Sequence, residues 1–463
     1  MASTKTQPAR GMRDFLPEDV RKREYVIGVI KEVYERYGFE PLETPAVENI
    51  ETLLGKYGEE GNQLIFKILK RGVHESTGEA DLALRYDLTV PLARVVAEYR
   101  DKLPKFFKRY QIQPVWRADR PARGRFREFY QCDLDVIDSY SMLVEAELCA
   151  ATSDALLELG FNDFIIRLNH REALRDLLTS VGIPDEAQSS TLIVLDKMDK
   201  IGEEGVRLEL SKTGISATQI EDVLDATYAD RLAATLVAQR NGSFDLAEYN
   251  AEMMRRLRMR LIQEGGFNKG LSDLEKILSF TDATSAAGRV KLDNSLARGL
   301  SYYTGAIMEI SVEGLAGSLG GGGRYDKLIG MFLGKEVPAC GFSLGLERIL
   351  VVMTEREMFP TTLALNPVDV MVSIWDRTEI SARESLALAT ELRQGGLRVD
   401  LYPVRNVKVA TQIAYASKRG IPFVVLIGEQ ERANGEVAIR DLRTRRQHTL
   451  KRESLLSTLR QSL

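Results

Sequence analysis

The chain has 463 residues, of which 44% are hydrophobic, and this is enough for a sizeable core and roughly two to four domains of ~150 residues each. The composition excludes a collagen-like or low-complexity protein. No apolar run approaches the ~20 residues of a membrane span, and the N-terminal stretch MASTKTQPARGMRDFLPEDV lacks the apolar core of a secretory signal. We therefore expect neither membrane binding nor secretion.

Cysteine and histidine are rare in this chain. The three cysteines and three histidines are scattered, and no two cysteines have metal-ligand spacing. We expect neither a disulfide framework nor a zinc site built from these residues. The expectation is a cytoplasmic protein without a resident metal or prosthetic group.

The charge is unevenly distributed, although the net charge is only −4. Residues 100–127 contain ten lysines and arginines against two acidic residues, and residues 403–463 contain twelve against five, which leaves −19 on the rest of the chain. Two basic segments in an acidic chain favour two zones of contact with anions. Two solvated basic surfaces would have the same signature.

The first part of the chain alternates helix and strand patterns. A helix is predicted from Asp19 to Tyr37, with Gly38 as its C-cap, followed by a short strand in FEPLETPAVE that Pro45 stops. LIFKILKRG and LALRYDLTVPLARVVAEY then predict a strand, a turn and a helix that begins near Thr89.

An antiparallel hairpin with a long polar tip is predicted next, from strands at Phe106–Val115 and Phe126–Val136. A strongly amphipathic helix, Met142–Leu159, and a strand, Phe164–Asn169, follow the hairpin. The helical patterns of residues 171–275 predict an inserted domain. Strand patterns return after it, and ACGFSLGLERILVVM predicts a strand that leads into a helix.

The pattern changes again after Phe359. The short apolar runs VDVMVSIWD, LRVDLYP and IPFVVLIG alternate with two helix-like segments, which predicts a parallel sheet with right-handed crossovers. We therefore predict a first domain from residues 1–170 and 276–359, a helical insertion at 171–275, and an α/β domain at 367–463.

The hairpin tip has the strongest chemical signal, because five arginines lie within eleven residues: Arg117, Arg120, Arg123, Arg125 and Arg127. Residues two apart on a strand share a face, so Arg125 and Arg127 are expected to point toward one anion, with Phe126 between them as a stacking surface. Guanidinium groups match phosphate oxygens bidentately. The chain has neither a P-loop nor a GxGxxG turn, so a nucleotide would have to use this other device.

The same alternation continues along the second strand through Gln131, Asp133 and Asp135. A strand face formed by Arg, Gln and Asp is too polar for a core. It is also too regularly ordered for an ordinary solvated surface. This face is therefore predicted to be functional.

These motifs resemble those of the class II aminoacyl-tRNA synthetases. GFEPLETP is similar to their first signature motif, FKRYQIQPVWRADRPARGRFREFYQCDLD to the second, and GFSLGLERIL, with Arg348, to the third. GMRDFLP, LRYDLTVP, SLARGLSYYTG and GGGGRYDKL resemble the histidyl-tRNA synthetase family within that class. The resemblance covers nearly all of residues 11–463.

The resemblance implies an α+β catalytic domain built on an antiparallel sheet, with a helical insertion, and a C-terminal α/β anticodon-binding domain. It also implies ATP-dependent ligation of histidine to tRNA through a histidyl-adenylate, with Mg²⁺ entering as part of the ATP complex. An in-line displacement at phosphorus depends mainly on positioning and on stabilisation of charge. The catalytic residues that the resemblance implies are Arg117 and Arg298, both at the α-phosphate.

The ATP contacts implied by the resemblance involve Arg117, Asp119, Arg125, Phe126, Arg127 and Arg348. Arg125 and Arg127 would take the outer phosphates. Phe126 and Arg348 would sandwich the adenine, whose amino group would meet Asp119. For Arg298, a surface ion pair is the alternative interpretation.

The histidine contacts implied by the resemblance involve Asp87, Leu88, Thr89, Arg117, Gln131, Asp135, Arg298, Tyr302 and Tyr303. Asp87, Thr89 and Gln131 would hold the ammonium, whereas Asp135 and Tyr303 would hold the imidazole. A pocket that pairs both ring nitrogens rejects isosteres that lack them. Tyr302 would line the pocket with Tyr325, and ordinary core packing is the alternative for the tyrosines.

The resemblance also implies macromolecular partners. The first motif implies a homodimer, the hairpin loop would meet the acceptor end of the tRNA, and the C-terminal domain would contact the tRNA backbone through Arg405, Lys408, Lys418 and Arg419. The glycines Gly320–Gly323 would let the backbone approach a ligand closely, or would form a plain flexible turn.

Two other functions share parts of these motifs. One is a non-catalytic paralogue, either a regulatory subunit of ATP phosphoribosyltransferase or a sensor of uncharged tRNA, but such paralogues tend to lose arginines that this chain keeps. The other is a threonyl, prolyl or glycyl enzyme of the same class. SLARGLSYYTG disfavours that group, and the threonyl enzyme would also require zinc ligands.

Overall fold

The computed structural model describes residues 6–72, 77–227, 237, 245–262, 267–297, 302–315, 317–361, 363 and 368–463. The chain divides into two compact units, the first formed by Met1–Phe15 with Lys22–Phe359 and the second by Leu16–Arg21 with Pro360–Leu463. Within the described part of the chain, no helix is long and apolar enough to cross a membrane. The predicted domain limits stay predictions.

The elements up to the end of the hairpin are α1 (Pro17–Arg36), β1 (Glu40–Pro41), β2 (Val47–Asn49), α2 (Ile50–Leu53), α3 (Gly58–Gln63), β3 (Lys67–Leu69), β4 (Ala80–Leu84), α4 (Thr89–Glu98), β5 (Phe107–Trp116) and β6 (Glu128–Ile137). The predicted first helix and the predicted helix start at Thr89 are confirmed. Gly38 has a φ of +76°, as a C-terminal glycine requires.

The middle of the chain contains α5 (Leu143–Glu158), β7 (Phe164–His170), α6 (Arg171–Ser180), α7 (Asp185–Leu195), α8 (Met198–Leu210), α9 (Ala217–Thr227), α10 (Leu246–Leu261) and α11 (Lys269–Thr281). The described residues between β7 and Thr281 form helices and no strand, so the predicted helical insertion is confirmed as a fold. Its last helix continues six residues past the predicted limit at 275.

The first unit is completed by β8 (Val290–Leu292), β9 (Ala306–Val312), β10 (Gly320–Arg324), α12 (Gly330–Leu333), β11 (Ala339–Gly345) and α13 (Leu346–Glu355). Eight strands form one sheet in the order β1-β5-β6-β11-β10-β9-β7-β8, and its pairs are antiparallel except β1 with β5 and β7 with β8. The prediction of a catalytic domain built on an antiparallel sheet is therefore confirmed. The residues between β1 and β5 form a separate small sheet with the strand order β2-β4-β3.

The core of the first unit covers one face of the large sheet. Cys132, Leu134 and Val136 point from β6 to this face and pack in one apolar cluster with α1 and α5. The hydroxyl of Tyr34, on α1, donates to the carbonyl of Cys132 at 3.2 Å. Because successive strand residues alternate in direction, the residues between these three must point to the opposite face.

Helix α5 contradicts the prediction of a strongly amphipathic helix. Eleven of its sixteen residues are buried, among them Glu145, which pairs with the buried Arg324 at 2.6 Å. The alanines and other small side chains of this helix let it be enclosed by both β11 and α11. Enclosure on several sides leaves no broad polar face.

The glycine run forms strand β10 in the middle of the sheet, so the alternative of a flexible turn is wrong. A Cβ on Gly322 would lie 2.1 Å from the carbonyl oxygen of Gly341, and one on Gly320 would lie 2.3 Å from that of Ser343. The neighbouring backbone of β11 therefore requires glycine at these positions.

The predicted hairpin is confirmed, since β5 and β6 pair antiparallel from Phe107–Ile137 to Trp116–Glu128. Its second strand, however, begins at Glu128 and not at Phe126. Arg125 and Arg127 therefore lie in the loop, and strand alternation does not set their direction.

The second unit contains β12 (Val370–Val372), α14 (Glu379–Gln394), β13 (Val399–Leu401), α15 (Val409–Lys418), β14 (Phe423–Leu426), α16 (Glu429–Asn434), β15 (Glu436–Asp441), β16 (Gln447–Lys451) and α17 (Leu455–Ser462). The predicted parallel strands are confirmed as β13-β12-β14, but β15 and β16 extend the sheet antiparallel. The sequence prediction missed this hairpin because its second strand is largely exposed and polar.

Candidate active site

The face of the large sheet opposite the core is polar. Its side chains follow from strand register, because residues paired across neighbouring strands point to the same side. Three rows cross β5, β6 and β11 in this way: Arg109–Asp135–Gly341, Gln111–Asp133–Ser343 and Gln113–Gln131–Gly345. The sequence identified the β6 members of these rows and missed the β5 members, although FKRYQIQPVW alternates in the same manner.

Arg109 and Asp135 form the buried centre of this face. Arg109 Nη2 lies 2.9 Å from Asp135 Oδ2 and donates to the carbonyl of Leu88 at 3.3 Å. The hydroxyl of Tyr325 donates to Asp135 Oδ1. Asp135 Oδ1 therefore accepts a hydrogen bond, whereas Oδ2 is in an ion pair with Arg109 and has no hydrogen-bond donor among the described residues. These two contacts hold the side chain in one orientation.

A second buried carboxylate, Asp87, lies just before α4. Its Oδ1 accepts from the Tyr57 hydroxyl at 2.9 Å and from the backbone N–H of Val90 at 3.0 Å, and its Oδ2 accepts from the Tyr302 hydroxyl at 3.1 Å. Thr89 is in turn hydrogen-bonded to Tyr302. The structure thus brings Asp87, Leu88, Thr89 and Tyr302 together, as the resemblance implied, and adds Tyr57.

The tyrosines enclose the same pocket. Tyr302 lies edge-on to both Tyr303 and Tyr325, with ring centroids 5.2 and 5.9 Å away. Burial raises the pKa of Tyr302, Tyr303 and Tyr325. Their hydroxyls therefore remain protonated and available as donors at neutral pH.

Burial also shifts the pKa of the carboxyl groups in this pocket, and it is the largest influence on the pKa of each. It raises the pKa of Asp87 and of Asp135, against the opposing effects of hydrogen bonds and of nearby arginines. For Asp133, burial raises the pKa to about 7; Arg109 lowers it and the charge of Asp135 raises it. Of the three carboxyl groups, Asp133 therefore titrates close to neutral pH.

Arg117 lies at the end of β5, at the edge of this pocket. Its Nε donates to the carbonyl of Tyr86 at 3.1 Å, and its guanidinium lies 4.3 Å from the centroid of the Tyr86 ring. Its backbone N–H donates to the carbonyl of Arg127 at 2.9 Å. Arg117 therefore joins the carboxylate pocket to the arginine-rich loop.

The loop arginines converge on Asp119. Arg125 forms a bidentate ion pair with its carboxylate, at 2.8 and 3.1 Å, and Arg127 donates to its backbone carbonyl at 3.0 Å. Asp119 is 8% exposed. The two arginines thus do point toward one anion, but in this structure the anion is a side chain of the loop itself.

Phe126 lies in this loop, and Arg348 contacts the loop from a neighbouring helix. Arg348, in the first turn of α13, contacts the carbonyls of Gly124 and Ser318. The ring of Phe126 has a different neighbour, Arg13, whose guanidinium lies 3.3 Å from the ring centroid. Sequence reasoning missed Arg13, although it belongs to the GMRDFLP motif.

The segment that contains Arg13 is fixed to the loop by backbone contacts. Gly11 accepts a hydrogen bond from the N–H of Arg127 at 2.8 Å. Gly11 has a φ of +85°, and a Cβ there would lie 2.8 Å from the Arg127 side chain and 2.9 Å from Pro121. Only glycine allows this approach without strain.

Arg298 lies outside the described residues, as does the rest of the segment 298–301. The neighbouring Tyr302 and Tyr303 are described and lie in the pocket. The role implied for Arg298 stays a prediction.

Comparisons with known proteins identify the family. Residues 11–349 match the model of histidyl-tRNA synthetases, and residues 369–462 match that of the anticodon-binding domain. The chain is 40% identical to a histidine–tRNA ligase of Gloeobacter violaceus over 95% of each chain, and 39% identical to one of Flavobacterium johnsoniae over 99% of this chain and all of that one.

Solved structures agree with these sequence matches. A histidyl-tRNA synthetase from Nostoc sp. is 31% identical and covers both chains fully, with a TM-score of 0.79. A protein of Bacillus halodurans described as an ATP phosphoribosyltransferase regulatory subunit/histidyl-tRNA synthetase is 22% identical over 92% of this chain and 98% of that one, with a TM-score of 0.68, and shows the shared fold alone. The chain therefore belongs to the histidyl-tRNA synthetase family of class II aminoacyl-tRNA synthetases.

Proposed function

We propose that the chain is a histidine–tRNA ligase that works in two steps on the polar face of the large sheet. In the first step, a carboxylate oxygen of histidine attacks the α-phosphorus of ATP, and pyrophosphate leaves. In the second step, a terminal ribose hydroxyl of tRNA attacks the acyl carbon, and AMP leaves. The observation that supports this most directly is that Arg117 lies between a pocket of carboxylates and a loop of arginines.

Histidine binds in the carboxylate pocket in this proposal. Asp87, Thr89 and Gln131 hold the ammonium, and Asp135 with Tyr303 holds the imidazole, while Leu88, Tyr302 and Tyr325 line the pocket. Arg117 and Arg298 neutralise the substrate carboxylate and the α-phosphate as charge develops on phosphorus. The site then needs no resident metal.

ATP, entering with Mg²⁺ as its substrate complex, binds at the loop. Arg125 and Arg127 meet the outer phosphates, Asp119 meets the adenine amino group, and the base lies between Phe126 and Arg348. Since Arg125 and Asp119 pair with each other in this structure, ATP has to separate them. Arg125 is half-exposed in this pair, whereas the Asp119 carboxylate is largely buried and needs a replacement donor, which the adenine amino group would supply.

The second unit contacts tRNA. Arg405, Lys408 and Lys418 are exposed, and Arg419 is also exposed but paired with Asp400 and near Tyr415. Arg405, Lys408 and Lys418 form no ion pair with the residues that the structure describes, so they have no partner to give up on meeting phosphate, which favours them as backbone contacts.

Histidine-dependent exchange of pyrophosphate into ATP tests the proposed activity. We expect exchange that requires histidine and does not require tRNA. A non-catalytic regulatory paralogue would give none, so well-folded protein without exchange would exclude the ligase.

We further propose that the enzyme is a cytoplasmic homodimer. Near the first motif, Val47, Leu69 and Leu82 of the small sheet expose apolar side chains by 36–53%. Such exposed apolar groups favour an interface between copies. Light scattering on the eluting protein is expected to give twice the mass of 51.9 kDa; an active monomer would contradict the dimer.

A further inference from the structure

The polar face carries a residue to which the proposed ligand contacts assign nothing, Asp133. It lies on β6 between Gln131 and Asp135 and is 2% exposed. Its nearest cation, Arg109, is 3.9 Å from Oδ2, whereas Arg109 pairs with Asp135 at 2.9 Å. The Ser343 side chain is hydrogen-bonded to Asp133. A buried carboxylate this far from its nearest cation is nevertheless costly in the empty protein.

Four side-chain oxygens on this face are buried and have no hydrogen-bond donor among the described residues. One of them, Asp135 Oδ2, is in an ion pair with Arg109; the other three are Asp133 Oδ1, Gln131 Oε1 and Gln111 Oε1. Asp133 and Gln111 are paired across β6 and β5, and Gln131 follows one pleat along. The amide nitrogens of both glutamines are already used, on Ser343 and on Thr44 with Gln113, which fixes these oxygens as acceptors.

A group of adjacent acceptors fits a ligand that brings only donors. An ammonium has three N–H donors, no acceptor and a positive charge. A neutral imidazole brings one donor and one acceptor, so it satisfies such a group less well. Among the described residues, the pocket also contains the carboxyl groups of Asp87, Asp133 and Asp135 against the cations of Arg109 and Arg117, an excess of acidic groups that a ligand cation would offset.

We propose that Asp133 binds the α-ammonium of the amino-acid substrate directly, together with Gln131, and so determines recognition of the amino group. This inference rests on the proposed function, because it takes histidine as the occupant of the pocket. Asp87, whose oxygens accept from Tyr57, Tyr302 and Val90, then acts mainly as a second negative charge nearby. Asp133 is a binding residue and takes no part in bond making.

Two ligands distinguish the contribution of the ammonium to binding from that of the imidazole. L-Histidinol has both groups, and 4-(3-hydroxypropyl)imidazole is the same molecule without the amino group; neither needs ATP to bind. In calorimetry at pH 8, Asp133→Asn is expected to raise the dissociation constant of histidinol by about tenfold or more, because a charged hydrogen bond is lost. The dissociation constant of the deamino ligand is expected to change less than twofold. The matched control, Asp163→Asn, removes an aspartate from a half-exposed pair with Arg356 and should change neither.

The outcomes are decisive in either direction. Equal losses for the two ligands would mean that Asp133 serves the imidazole or only orders Arg109, and would overturn the proposal, as would no loss at all. If Asp133→Asn does not melt as a folded protein, Asp133→Ser replaces it under the same criteria. Histidine-dependent exchange by the wild type is measured separately: its absence rejects the proposed function, whereas exchange together with equal ligand losses rejects this inference alone.

Discussion

At the scale of single residues, the site depends on buried groups whose charges do not balance. Asp87, Asp133 and Asp135 are each at most 2% exposed, and burial raises the pKa of all three. Arg109, 0% exposed, lies among them and pairs most closely with Asp135. Such a cluster costs stability in the empty protein, which is typical of functional sites.

The melting temperature of the ligand-free protein is expected to depend on pH because of this buried cluster. A folded pKa of about 7 for Asp133, above the ordinary 3.8, means that the stability contributed by its protonated form is lost progressively as the pH rises from 3.8 to about 7. Asp133→Asn removes this titration, so the variant should gain more melting temperature over the wild type at pH 8 than at pH 5. Thermal melts at both pH values measure the gain; a gain that is larger at pH 5 would show the wrong sign.

Arg298→Ala tests the cation implied beyond the described residues. Because this arginine would stabilise charge at the α-phosphate, we expect exchange to fall by about 10²-fold or more, while the melting temperature stays near that of the wild type. Arg289→Ala, on a half-buried arginine earlier in the chain that donates to the carbonyl of Asn162, is the control. Near-normal exchange by the Arg298 variant would remove it from the catalytic residues.

At the scale of elements, the polar face is formed by the register of the strands and by glycines that leave room for the polar side chains of neighbouring strands. Gly341 of β11 is the partner of Asp135 on β6, and a Cβ there would lie 1.9 Å from Asp135 Oδ1. Glycine is therefore required at position 341 because a side chain there would collide with the Asp135 carboxylate on the neighbouring strand, and not because the backbone turns.

Gly341→Ala is expected to displace Asp135 and to raise the KM for histidine by about tenfold or more, with a smaller change in the KM for ATP, because the loop arginines lie elsewhere. Gly28→Ala is the control, since a Cβ on this helical glycine meets nothing within 4 Å. Steady-state exchange kinetics give both constants. An equal rise in both would indicate general disruption of the sheet.

At the scale of the whole molecule, two compact units divide the chain near Phe359 and Pro360. The proposed catalytic residues all lie in the first unit, and the proposed contacts to the tRNA backbone in the second. The two functions should therefore respond to substitution independently.

The double substitution Arg405→Glu with Lys408→Glu is expected to raise the KM for tRNA in aminoacylation by about tenfold or more and to leave exchange unchanged, because it affects phosphate contacts alone. The loss should diminish as salt increases. Lys31→Glu, on an exposed lysine of α1, serves as the control. Unchanged aminoacylation at low salt would show that these two cations do not meet tRNA.

Much of the organisation was determined by the sequence itself. Alternation predicted the hairpin, the polar face of β6 and the parallel strands of the second unit, because these patterns have periods of two and lie within single elements. The ordered motifs indicated the family, which the comparisons confirm. Local patterns failed for α5, whose small residues allow enclosure that periodicity does not reveal.

Only the tertiary structure decided which residues meet across elements. It placed Arg109 beside Asp135, Tyr57 beside Asp87, and Arg13 on Phe126, although tens of residues or more separate each pair along the chain. It also showed that the glycine run is a strand and that Asp133 Oδ1 lacks a donor among the described residues. Register, close backbone approach and missing partners are relations between distant segments, and no local pattern encodes them.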